Sequence, residues 1–205
     1  MRKVFFDTET TGLAPGQIAQ LAFISEDDNG NIACGNYFFE VDYMSTDAET
    51  VTGRGIEDYK ELSHGQRFKD RADELYEIFS NSTLIAHNLH FDENFISTEF
   101  WRLNKIFKPS DRFDTMEYFR DICKLPGGKW GQQYKPPKLV ELVDYLTIDK
   151  EMVEKYCEQL FKLQTGGFHD AMYDTTSMFV AFQVYREILR QDGKREWREA
   201  FCKEV

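Results

Sequence analysis

Asp7 and Glu9, in FFDTETTGL, stand two residues apart at the end of an apolar run. In an extended strand that spacing puts both carboxylates on one face. Two acids so placed repel unless a cation lies between them, so the pair reads either as a solvated strand end or as half of a metal site. Asn88, Phe91 and Asp92 follow in AHNLHFDENF, where a strand-like run opens into a helical pattern. Here Asn88 could simply cap the helix, or Asp92 set its charge against the helix dipole. His169 and Asp174 lie in GGFHDAMYD, at the start of the last helical pattern. Five helical residues turn through about 500°, or about 140° net, so the two would not share a stripe if both were helical. His169 is therefore expected on the loop before the helix, able to turn toward Asp174.

Four carboxylates supply the oxygen ligands that hard cations such as Mg²⁺ or Mn²⁺ prefer. Two such ions about 3.5 to 4 Å apart can stabilise both the attacking and the leaving oxygen of an in-line phosphoryl displacement. An imidazole titrating near neutral pH can take the proton from the attacking water.

These residues need a frame that brings them together. Residues 3 to 7 form a short apolar run, 17 to 25 a second, and 32 to 41 a third, with Asn29-Gly30 as a hairpin signal between the last two. Phe68, Ala72, Leu75, Ile78 and Phe79 recur at helical spacing, followed by a β-like run over 83 to 86 and a second helical pattern through Phe91, Phe95, Ile96, Phe100 and Leu103. A small strand at 112 to 114 precedes helical segments near 115 to 123, 137 to 146, 151 to 163 and 170 to 190. A meander followed by alternating helices and strands predicts an α/β fold with a mixed sheet and helices packed against it. Thr10, Thr11 and Gly12 predict a turn in which Gly12 takes positive φ and lets backbone approach a ligand. Residues 124 to 138 carry four Lys, no acid and several Gly and Pro, and predict a long mobile loop.

The 205 residues suit one domain, 1–205, and 41% hydrophobic with 15% aromatic residues give it enough apolar surface for a globular core. Cys34, Cys123, Cys157 and Cys202 have neither zinc-ligand nor disulfide-framework spacing, which suits reduced thiols in a cytoplasm. The N-terminus lacks a signal peptide's apolar run, and no stretch approaches membrane-spanning length. A formal charge of −11 argues against a broad nucleic-acid-binding surface but not against a small site that carries its own cations.

DxE, NxxFD and HxAxxD in this order resemble the three exonuclease motifs of the DnaQ-like, DEDDh branch of 3′ to 5′ exonucleases, over about residues 3 to 188. The resemblance implies a ribonuclease-H-like fold with a five-stranded mixed sheet flanked by helices. It makes Asp7, Glu9 and Asp174 direct ligands of two Mg²⁺ or Mn²⁺ ions, Asp7 bridging them. Asp92 serves the second ion, often through water, and His169 is the general base. It implies release of nucleoside 5′-monophosphates from single-stranded 3′ ends, DNA slightly ahead of RNA, and admits a DNA polymerase subunit as partner. A phosphodiesterase of short oligonucleotides and a catalytically silent interaction module are the alternatives.

The same resemblance assigns Thr10, Thr11, Gly12, Leu13, Asn88 and Phe91 to substrate binding. In ETVTGRGI, Glu49 matches a residue that helps bind the terminal nucleotide, while Arg54 stands where the family usually has His. Arg54 would then contact phosphate or be a surface arginine. Asp114-Thr115 resembles a structural element of the family, and KPPKLVELVDYL its following helix. Trp130 and Tyr134 in the Lys-bearing loop could stack on bases, or anchor a solvated loop. His64, His87 and His90 lack a fitting third metal ligand and are expected to be hydrogen-bonded or exposed.

Overall fold

The computed structural model describes residues 2–13, 16–127, 133–162 and 169–191. It begins with the expected antiparallel meander: β1 (Lys3–Thr10), β2 (Ile18–Glu26) and β3 (Ile32–Phe38). At the β2–β3 turn the Asp27 carboxylate accepts from the backbone of Asn29 and Asn31 at 2.9 and 2.8 Å, and Gly30 takes the left-handed position at φ 82°. That is the longer hairpin loop closed by a left-handed glycine, rather than the tight two-residue turn that Asn-Gly alone suggests.

Two short helices come next, α1 (Thr46–Thr52) and α2 (Ile56–Ser63), followed by α3 (Phe68–Phe79), β4 (Thr83–Ala86), α4 (Leu89–Arg102) and β5 (Asp111–Asp114). After α5 (Thr115–Cys123), the segment read as a loop contains a small antiparallel pair, β6 (Leu125–Pro126) and β7 (Tyr134–Lys135). Lys135 is held by Glu141 at 2.5 Å, and Trp130 lies outside the described residues. The chain then forms α6 (Leu139–Tyr145), α7 (Lys150–Phe161) and α8 (Ala171–Gln191).

The main sheet has the order β3-β2-β1-β4-β5, with β1, β4 and β5 parallel and β2 antiparallel to both neighbours. Period-two alternation along β1 divides the core. Val4 and Phe6 face α3 and α4, packing with Phe79, Phe95 and Phe100. Phe5 faces the other way, onto Met178, Phe179 and Phe182 of α8. A further cluster of Phe119, Leu142, Val153, Cys157 and Tyr173 packs α5, α6 and α7 against α8. The mixed sheet flanked by helices is thus present, and aromatic edge contacts such as Phe5 with Phe179 at 5.1 Å lock α8 in register on it.

Asp114 shows why the two middle junctions are rigid. Its carboxylate accepts from the backbone of Asn88 and Leu89 at the start of α4, and from Met116 and Glu117 at the start of α5. One side chain therefore satisfies the orphan donors of two helices. Cys34, Cys123 and Cys157 are free thiols. Among the described residues, no helix is long and apolar enough to cross a membrane.

Candidate active site

The alternation that sends Phe5 toward α8 sends Asp7 and Glu9 the same way. On α8, Asp174 lies one turn before Met178 and two before Phe182, on the stripe that meets the sheet. The helix comes close because Ala22, paired with Asp7 across the β1–β2 ladder, is small, and Thr175 Oγ1 donates to the Ala22 carbonyl at 3.2 Å. As a result, carboxylate oxygens of Asp7, Glu9 and Asp174 all lie within 4.8 Å of one another.

Asp92 arrives from the opposite face of the sheet. β1 pairs with β4 only as far as Phe5, so the later part of that edge of β1 is open. The first turn of α4 fills it: Asp92 Oδ1 accepts from Thr8 N at 3.0 Å and Thr8 Oγ1 at 2.7 Å. Asp92 does not join the group of oxygens within 4.8 Å. Its charge is nevertheless felt there, since it raises the pKa of both Asp7 and Asp174. His169 stands just before α8, exposed and in the left-handed region at φ 64°, with its backbone N–H 3.3 Å from Asp174 Oδ2.

Burial and crowding push every acid of the cluster toward its neutral form. Burial is the largest cause for Asp7, followed by the charges of Asp92, Asp174 and Glu9, and its carboxyl is raised well above the usual range. Asp174 is raised likewise by burial and then by Glu9. Glu9 is pushed up to about 7 by burial and Asp170, against the pull of Arg54. Asp92 also reaches about 7, burial outweighing the hydrogen bonds from Thr8. Asp174 Oδ1 is buried and has no hydrogen-bond partner among the described residues. An all-oxygen donor set with an unsatisfied buried carboxylate oxygen fits a hard divalent cation.

These shifts set the sign of a pH effect. Carboxyls whose folded pKa is raised stabilise the fold below their unfolded pKa of about 4, and that contribution is lost as pH rises through about 7. The metal-free protein is therefore expected to lose on the order of 5 °C or more in Tm between pH 5 and pH 8. Mg²⁺ or Mn²⁺, which binds the ionised form, should restore more at pH 8 than at pH 5. Thermal melts in chelator and in excess metal at both pH values measure this, and metal protection that is equal at both would show that the acids do not act as one site.

The family model described as "Exonuclease" (RNase T) matches residues 4–182, the span that contains all five of these residues. The chain belongs to this exonuclease family. DNA polymerase III subunit epsilon of Rickettsia felis is 32% identical over 139 residues, covering 63% of this chain and 58% of that protein. The Buchnera aphidicola epsilon subunit is 27% identical over 85% of this chain and 77% of its own length. The 3′-5′ exonuclease DinG of Staphylococcus epidermidis is 40% identical over 53 residues, which are 26% of this chain and 6% of that protein. The chain thus spans well under two thirds of several of its relatives. Among solved structures, E. coli exonuclease I in complex with a dT13 oligonucleotide has the same fold, with a TM-score of 0.68 at 19% identity over 93% of this chain and 42% of that one. The five-stranded mixed sheet flanked by helices of a ribonuclease-H-like fold is therefore as expected.

Beside the acid cluster a cavity of about 560 Å³ borders Glu9 and is lined by Thr10, Thr11, Gly12, Leu13 and Phe91, together with Tyr43, Ser45 and Val51. A second hollow, of about 320 Å³, brings Asn88 beside Leu13 and Phe91. Leu13 is 85% exposed and lines both. The hydroxyls of Thr10 and Thr11 are already used within the loop, on Gly12 O and Gln17 N. Glu49 and Arg54 line neither cavity.

One expectation needs correction, and two open alternatives close. Gly12 is not in the positive-φ region, and a Cβ there would meet Ser45 Oγ at 3.4 Å, an ordinary contact distance. Asn88 makes no side-chain cap: it takes φ 77°, and Asp114 caps α4 in its place. Arg54 is not a surface arginine, because its Nη2 binds Asp170 Oδ2 at 2.8 Å, beneath the site. Thr8, Asp170 and the wall from Ser45 to Thr52 went unforeseen. Ser45 followed by acids and then Gly53 was a helix signature that could have located α1. The histidines behave as expected, His87 bonding Thr115 Oγ1 and Pro137 O at 3.0 and 2.9 Å.

Proposed function

We propose that the chain is a metal-dependent 3′ to 5′ exonuclease that releases nucleoside 5′-monophosphates from single-stranded 3′ ends, with DNA slightly preferred over RNA. The convergence of Asp7, Glu9 and Asp174 oxygens within 4.8 Å, beside a cavity of nucleoside size, carries this reading. The name of the Staphylococcus epidermidis relative, a 3′-5′ exonuclease, supports its polarity. The oligonucleotide bound to exonuclease I supports the single strand as substrate.

Two Mg²⁺ or Mn²⁺ ions, when bound, supply charge neutralisation at the scissile phosphate and acidify water. Asp7, Glu9 and Asp174 would hold them, and Asp92, fixed by Thr8, would serve the second ion. His169 accepts the proton of the attacking water. The bond from phosphorus to the 3′ oxygen of the penultimate nucleotide breaks, and that oxygen leaves with a proton from solvent. Leu13 and Phe91 flank the terminal base, and apolar and aromatic contact there tolerates any base. A net charge of −11 confines capture to a few nucleotides at the 3′ end. The unit acts as one domain in the cytoplasm, and a DNA polymerase subunit is a partner consistent with the epsilon relatives.

The test is the product ladder from single-stranded DNA and RNA labelled at the 5′ end, with Mg²⁺, Mn²⁺ or chelator. A ladder shortening from the 3′ end, monophosphate product and complete loss in chelator are expected. Internal cleavage, or cleavage undiminished in chelator, would overturn the proposal.

A further inference from the structure

Five carboxylates, not four, surround the site, and Asp170 differs from the rest in having its oxygens already committed. Oδ1 accepts from Gln20 Nε2 at 3.1 Å and from Met172 N at 3.0 Å; Oδ2 accepts from Arg54 Nη2 at 2.8 Å. The main-chain oxygen of Asp170 accepts from Asp174 N at 3.0 Å. Asp170 therefore ties three things to the first turn of α8: β2 through Gln20, the turn after α1 through Arg54, and Asp174 itself.

Arg54 is built for this contact. Its backbone is clasped by Thr52 Oγ1, which bonds both Arg54 N and Arg54 O at 3.2 Å. The guanidinium lies 5.8 Å from the Phe38 ring centroid, and its other terminal nitrogen, Nη1, is buried rather than open to the cleft. The side chains of the pair are 24% and 7% exposed, so the charges are largely out of water and either one alone would be costly. With Nη2 on Asp170 and Nη1 buried, the fork does not offer the cleft the pair of open donors that a bidentate phosphate contact needs.

We infer that Arg54 is a positioning residue. By neutralising Asp170 and fixing the first turn of α8, it sets where Asp174 and His169 stand relative to Asp7 and Glu9, and it keeps the fifth carboxylate out of the metal-binding set. The inference rests on the exonuclease reading for its kinetic consequence but not for its structural one.

The variants are R54A, R54K, D170N and R54A/D170N. Mn²⁺ affinity of the substrate-free protein, by EPR titration, is measured beside kcat and KM on a short single-stranded oligodeoxynucleotide. R54A should weaken Mn²⁺ binding and lower kcat by roughly 10-fold or more, the scale of outer-sphere changes at metal sites, with KM little changed. R54K should recover part of the loss. The double variant, which removes both charges together, should lose less than the two single variants combined. A raised KM with Mn²⁺ affinity intact would place Arg54 on the substrate phosphate instead and overturn the inference, as would losses that simply add. If R54A fails to fold by circular dichroism, R54K and D170N decide it, and unchanged Mn²⁺ affinity in both overturns it. If the wild type is inactive on the oligonucleotide, the exonuclease reading fails while the Mn²⁺ titrations still judge Arg54.

Discussion

Asp7→Asn is expected to lower exonuclease turnover on the order of 10³-fold or more, the scale felt when one member of a catalytic set is lost, and to weaken Mn²⁺ binding with it. Asp7 sits at the centre of the acid cluster: the charges of Asp92, Asp174, Glu9 and Asp170 all raise its carboxyl. Replacing it by an amide removes a ligand and also relieves repulsion, so the metal-free protein should melt higher than wild type at pH 8. Opposite signs for stability and activity separate a ligand from a residue that merely holds the fold. The measurements are turnover, EPR titration and thermal melts in chelator. Mn²⁺ affinity preserved in the variant contradicts its placement at the metal-binding centre.

His169→Ala should cost about 10² to 10⁴ in turnover, the range of a general base, while leaving metal binding largely intact. The geometry favours this split. The contact from His169 to Asp174 is made by the backbone N–H, which alanine keeps, so the ligand stays supported when the ring is removed. The left-handed φ of 64° is harder for alanine than for histidine, and His169→Asn, which tolerates that region, is the control that keeps backbone strain out of the comparison. Both variants should fall together in rate. A near-wild-type rate in either assigns the proton to another group.

Most of the frame was legible because its elements carry local periodicity. The α3, β4 and α4 succession follows directly from the spacing of Phe68, Ala72, Leu75 and Phe79, then from the apolar run at 83–86, then from Phe95 and Phe100. α1 was not legible by that signal because it buries no residue, so no apolar stripe marks it, and only Ser45 and Gly53 at its ends betray it. The alternation of β1 correctly placed Asp7 and Glu9 on one face, since a two-residue period follows from strand geometry alone.

The sequence by itself determined the acids of the cluster, their order and the element that carries each, because these depend on local conformation and on side-chain chemistry. What only the tertiary structure decided depends on contacts between distant segments. Asp92 meets Thr8 across 84 residues, Asp114 caps a helix that starts 25 residues before it, and Arg54 finds Asp170 across 116 residues. No local period encodes such pairs. A hydrogen bond or ion pair needs its partners placed to within tenths of an ångström, and that placement comes from the packing of α4 and α8 on the two faces of the sheet. The packing turned an unassigned Asp170 and an arginine read as a phosphate contact or a surface residue into the support beneath the site.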